Sequence, residues 1–85
     1  MSADEAPAVV DARGLRCPLP VVRLAAAARD AAPGTLLQVW STDPAAALDV
    51  PAWARMRGHR LVDVDARTGD DDAADEWRVT VRVGP

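Results

Sequence analysis

The chain has 85 residues, 49% of them hydrophobic, and its ten Arg, absent Lys and 13 acidic residues give a net charge of −3. That is one domain with a thin core, too apolar to stay disordered and too acidic to live by gripping nucleic-acid phosphates. A single Cys excludes an intrachain disulfide, one Cys with one His makes no metal site, and no run approaches the roughly 20 apolar residues of a membrane span.

Residues 1–7 read as a disordered leader before a domain over residues 8–85. Ala8 to Ala12 is a short strand ending at Arg13-Gly14. Cys17-Pro18-Leu19-Pro20 then opens a helix to about Ala32, with Val21, Leu24, Ala25, Ala28 and Ala32 on one face and Pro33-Gly34 as its stop. Thr35 to Trp40 is the next strand. Asp43-Pro44 begins a second helical region, an N-cap acceptor followed by Pro at the first position. Pro51 lacks an N–H, so an unbroken helix is not expected through it; Asp49-Val50-Pro51 reads as a second start, with the main helix running to Arg57 and Gly58 closing it.

Arg60 to Ala66 and Trp77 to Val83 read as strands, joined by an acidic loop containing Asp70, Asp71 and Asp72. In the last strand Trp77, Val79, Val81 and Val83 alternate with Arg78, Thr80 and Arg82, predicting one buried and one wet face. Asp63 and Asp65 are expected to face Arg residues across the sheet. With Phe and Tyr absent, the core is expected to rest on Val, Leu, Ala and the three Trp, Trp40 and Trp53 included. His59 reads as a residue at a helix end, favoured there by the dipole.

Chemistry concentrates at Cys17. Pro18 and Pro20 belong in a helix's first turn, which places Cys17 at the N-cap, exposed beside the positive end of the helix dipole. A thiolate there gains about 0.3–1 kcal/mol, and about 2 in a favourable site, enough to lower the pKa toward about 7. Arg16 and Arg13 push the same way, while each proline deletes an N–H donor. The competing reading is a buried Cys acting as a small hydrophobe, although Cys17 lies off the apolar stripe of its helix. Arg13, Arg16 and Arg23 are either thiolate-stabilising and docking residues or a solvated surface.

Asp11-Ala12-Arg13-Gly14-Leu15-Arg16-Cys17-Pro18-Leu19-Pro20 resembles the signature of the TusA/SirA-like sulfur carriers, a Cys-Pro-x-Pro motif after a Gly-Leu-x turn. Pro33-Gly34, Thr42-Asp43-Pro44-Ala45 with Asp49-Val50-Pro51, and Gly58-His59-Arg60-Leu61-Val62 resemble later landmarks of that family in the same order. The resemblance implies an α/β (α+β) two-layer sandwich, β-α-β-α-β-β, with a mixed four-stranded sheet, two helices on one face and a central, antiparallel last strand. It implies a sulfur carrier whose Cys17 accepts sulfane sulfur as a persulfide. The donor would be a protein such as a cysteine desulfurase or rhodanese-like protein, and the sulfur would pass to a downstream acceptor protein. Gly14, Pro18 and Pro20 would shape the motif. No cofactor or metal is implied, nor stable nucleic-acid or membrane binding, and the expected form is a cytoplasmic monomer. Some relatives carry a second Cys near the position of Ala54 and an acidic residue where this chain has Leu19. An internally resolved disulfide is therefore impossible here. A regulatory or interaction module on the same fold is the alternative function; a stand-alone thiol enzyme is disfavoured, since the chain has no Cys-x-x-Cys pair and its His has no evident orienting partner.

Overall fold

The computed structural model describes residues 6–71 and 73–85; most of the predicted leader, and Asp72 of the acidic loop, lie outside the described residues. Strands β1 (Ala8–Ala12), β2 (Leu36–Ser41), β3 (Arg60–Arg67) and β4 (Glu76–Arg82) and helices α1 (Leu19–Arg29) and α2 (Ala46–Arg57) follow one another as β1-α1-β2-α2-β3-β4. The sheet order is β1-β2-β4-β3. β1 and β2 run parallel, as a strand-helix-strand crossover requires, and β4 is antiparallel to both of its neighbours. The architecture is the expected mixed sheet with a central, antiparallel last strand.

One sheet face is covered by helices, α1 over β1 and β2 and α2 over β3 and β4. Leu37 and Val39 of β2 and Val79 and Val81 of β4 point into this layer, where they meet Leu24 and Ala28 of α1 and Ala46, Val50 and Ala54 of α2. Small residues on both helices let them lie close to the sheet. The edge strand β3 is barely covered, and Leu61, Val62 and Val64 remain exposed.

Both helices depart from the expected boundaries. α1 begins after Pro18 rather than at Cys17, and it ends at Arg29 with Asp30 as its cap, the Asp30 N–H donating to the Ala27 carbonyl and the Ala31 N–H to the Ala28 carbonyl. Ala32 precedes Pro33 and so sits where the α conformation is disfavoured. α2, by contrast, passes through Pro51 without a break. Ala46, Val50 and Ala54, at most 1% exposed, fall four residues apart on one face and hold the helix to the sheet across the missing hydrogen bond. Ala47, whose carbonyl loses that partner, is only half-buried. Packing overrides the local cost of the proline. Gly58, with φ at +77°, then caps the helix in the left-handed conformation as expected.

The second sheet face is less wet than alternation suggests. Thr80 is 6% exposed, because Gln38 Nε2 donates to its Oγ1 at 2.9 Å and Trp40 Nε1 donates to Gln38 Oε1 at 2.7 Å. Trp40 therefore lies outside the core it was expected to join. The guanidiniums of Arg78 and Arg13 lie 4.0 Å and 4.9 Å from its ring centre. Asp65 is in register with Arg78, yet the ion pairs run along the strands instead, Asp65 to Arg67 and Glu76 to Arg78.

Candidate functional site

Two consecutive turns carry the chain from β1 to α1. Leu15 N–H donates to the Ala12 carbonyl at 3.2 Å and Leu19 N–H to the Arg16 carbonyl at 2.9 Å. Gly14, with φ at +83°, supplies the left-handed residue that the first turn needs, and its N–H donates to Thr42 Oγ1 at 2.8 Å. Pro18 flanks the helix and Pro20 is buried within its first turn. Because β1 and β2 are parallel, both helices start at the same end of the sandwich. The loop holding Cys17 thus lies against the loop that opens α2.

Asp43 joins the two loops. Its Oδ2 accepts the Cys17 N–H at 2.9 Å and its Oδ1 accepts the Ala45 N–H at 3.0 Å. Its own N–H is held by Ser41 Oγ at 3.0 Å. Asp43 is not the expected N-cap, since α2 begins at Ala46 with Ala45 in the cap position and no side-chain cap bond; it fixes the backbone of Cys17 to the turn that precedes α2. The two N–H groups, and the positive charge of Arg16, hold its carboxyl below the usual carboxylate range.

Cys17 is a free, half-buried thiol that packs against the edge of the core. It stands one residue before the helix-flanking Pro18, not at the N-cap. The helix end has little to offer it: Leu19 N–H is already bound to Arg16, Pro20 has none, and Val21 alone keeps a first-turn N–H without an acceptor among the described residues. Burial, a hydrogen bond to Asp49 and the negative charges of Asp43 and Asp49 push the thiol up to about 11. The expectation of an exposed thiolate with a lowered pKa is overturned. The sequence reading looked for charge next to Cys17 along the chain; the decisive carboxylates come from α2 and its loop.

The arginines expected to stabilise a thiolate are occupied elsewhere or stand apart. Arg13 turns to the opposite sheet face, bonding Asp11 through Nε at 3.0 Å and Nη2 at 2.8 Å and approaching Glu76 at 3.8 Å. This fork holds the Asp11 carboxyl down to about 2. Arg16 is exposed and acts on Asp43, and exposed Arg23 adds its charge to that of Arg13 on Asp11. None of the three acts on the sulfur directly. Leu19 and Val22 on α1 and Leu48 on α2, 47%, 54% and 77% exposed, leave the first turns of both helices apolar toward solvent.

Comparison with known proteins agrees with this layout. A family model described as sulfurtransferase TusA matches residues 8–83. The sulfur carrier protein TusA of Pseudomonas aeruginosa is 45% identical over 62 residues, covering 73% of this chain and 78% of that one. Its counterpart in Pseudomonas putida is 40% identical over the same length and with the same coverage. The crystal structure of a SirA-like protein from Desulfitobacterium hafniense superposes with a TM-score of 0.67 at 22% identity, covering 91% of this chain and 97% of that chain, and so shares the fold. With the family model matching from β1 through β4, this chain belongs to the TusA sulfurtransferase family.

Proposed function

We propose that this chain works as a sulfur carrier, holding sulfane sulfur as a persulfide on Cys17 between a donor protein and an acceptor protein. The observation that carries this reading is the placement of its one thiol. Cys17 is half-buried at the edge of the core, in the loop that opens α1, its backbone fixed by Asp43, within a chain whose relatives are sulfur carriers. A donor such as a cysteine desulfurase or a rhodanese-like protein fits the chemistry, since each presents a cysteine persulfide.

Loading is an exchange between sulfurs. Cys17 Sγ bonds to the terminal sulfur of the donor persulfide, the donor's own S–S bond breaks, and the proton of the Cys17 thiol ends on the departing donor sulfur. Delivery reverses the roles: the acceptor's thiolate takes the terminal sulfur and Cys17 leaves. No redox partner is needed, because sulfane sulfur passes between thiols at constant oxidation state. The free thiol suits a reducing, cytoplasmic setting, and transient docking of a monomer suits a relay.

Mass spectrometry after incubation with a persulfide donor tests the proposal. We expect a gain of one sulfur that dithiothreitol removes and that Cys17→Ser abolishes. A Cys17→Ser protein that still takes up sulfur would refute it, as would a wild-type chain that never loads. Partner binding and phenotype unaffected by that substitution would favour an interaction module instead.

A further inference from the structure

We propose that the groove between the C-terminal ends of α1 and α2 binds a small oxyanion carried on a single flat ring, of the aryl phosphate or aryl carboxylate type. The cavity, of about 220 Å³, is lined by Ala25, Ala28, Arg29, Trp53, Arg57 and His59. Arg29 lies in the last turn of α1 and Arg57 in the last turn of α2. Neither has an ion-pair or hydrogen-bond partner among the described residues. Arg16, Arg23, Arg55 and Arg60 share this state, but Arg29 and Arg57 alone among these arginines line the cavity.

His59 adds a donor. Its Nδ1 accepts the Gly84 N–H at 2.9 Å, so the proton of the neutral ring sits on Nε2. The ring also packs on Trp53, with centroids 4.7 Å apart and planes tilted by 40°. The Trp53 indole N–H has no acceptor among the described residues. The polar side chains of the lining are thus donors only, two guanidiniums, an imidazole and an indole, and no carboxylate lines the cavity.

Electrostatics and size then select the ligand. Carbonyls at the two helix ends offset part of the arginine charge, so a bare ion gains little; a ring against the Trp53 face and the small Ala25 and Ala28 walls adds the rest. A guanidinium fork matches the paired oxygens of a phosphate or carboxylate. The volume falls below the roughly 300 Å³ at which drug-sized pockets begin, which limits the occupant to one ring. Cys17 precedes α1 and the cavity closes its far end, so about 15 Å of helix separates them. The site stands apart from sulfur transfer.

Titration of the full chain with phenyl phosphate and with benzoate at low salt, followed by amide and indole NMR shifts, tests this. Saturable shifts of the Trp53 indole are expected for at least one probe, with a Kd of about 5 mM or below, as suits so small a ligand. An Arg29→Gln/Arg57→Gln double variant should weaken binding at least about fivefold, and Cys17→Ser should leave it unchanged. The exposed arginines make folding of the double variant straightforward to verify by circular dichroism, and loss of wild-type affinity at high salt gives a second readout. No saturable shift with either probe, or equal affinity in the double variant, overturns the assignment.

Discussion

Asp49→Asn isolates the carboxylate that sets the state of the sulfur. In the wild type the thiol is pushed up to about 11, so at pH 8 about one molecule in a thousand carries the thiolate. Asp49 acts on it twice, by hydrogen bond and by charge, while burial and Asp43 remain in the variant. A fall of about one pKa unit is therefore expected, a tenfold rise in thiolate. The new thiolate is a weaker nucleophile, and a Brønsted slope of about 0.4–0.5 returns roughly a factor of three. Alkylation by iodoacetamide at pH 8, followed by mass spectrometry, should then run about three- to fourfold faster than in the wild type, with the pH–rate midpoint moved down. Asp63→Asn, on the far edge strand, serves as the control and should match the wild type. An unchanged midpoint in Asp49→Asn, or one that moves up, would show that Asp49 does not govern the thiol.

Acid titration probes the loop clamp. Asp43 and Asp11 both have depressed carboxyl pKa values in the fold, Asp11 at about 2. Their contribution is thus complete above the unfolded value of about 3.9 and is lost as pH falls below it, for Asp11 down to about 2. Asp43→Asn should flatten the fall in thermal stability over that window, and a curve parallel to the wild type would refute the clamp. Pro51→Ala should stabilise the domain by about 2 kcal/mol, an interior proline's penalty less the entropy it removes from the unfolded chain, measured by urea denaturation. A lower midpoint would mean that the proline ring packs better than the restored hydrogen bond compensates.

The strands were legible because alternation states which face is buried: Leu37 and Val39 inward, Val79 and Val81 inward. The same parity places Trp40 outward, which the sequence already implied once Val39 is set in the core. The aromatic shortage pulled the reading the other way. Pro51 misled for a different reason. Its local penalty is real, but the Ala46, Val50 and Ala54 stripe is an energetic term that exists only against a sheet. The charge around Cys17 was hardest to see. Asp43 and Asp49 lie far from it in sequence, and each has a sufficient local explanation as a helix-start residue. The usable signal was topological: two successive strand-helix units put both helix starts, and so both loops, at one end.

An acidic setting at first sight opposes a residue that must attack sulfur. In the proposed cycle it has a coherent role. A thiol held protonated by Asp49 and by burial reacts slowly with stray electrophiles and oxidants, since the thiolate is the reacting form. In that cycle a docking partner that set positive charge against Asp43 and Asp49 would lower the thiol's pKa and raise its thiolate fraction as the donor persulfide arrives. The gain in thiolate outweighs the nucleophilicity lost with the lower pKa, because the Brønsted slope is only about 0.4–0.5. Once the partner has gone with the terminal sulfur, burial and Asp49 raise the thiol again and Cys17 stays protonated, which holds the empty carrier in its quiet form. Reactivity then belongs to the complex rather than to the free chain, and the apolar first turns bearing Leu19, Val22 and Leu48 offer the surface on which such a complex forms.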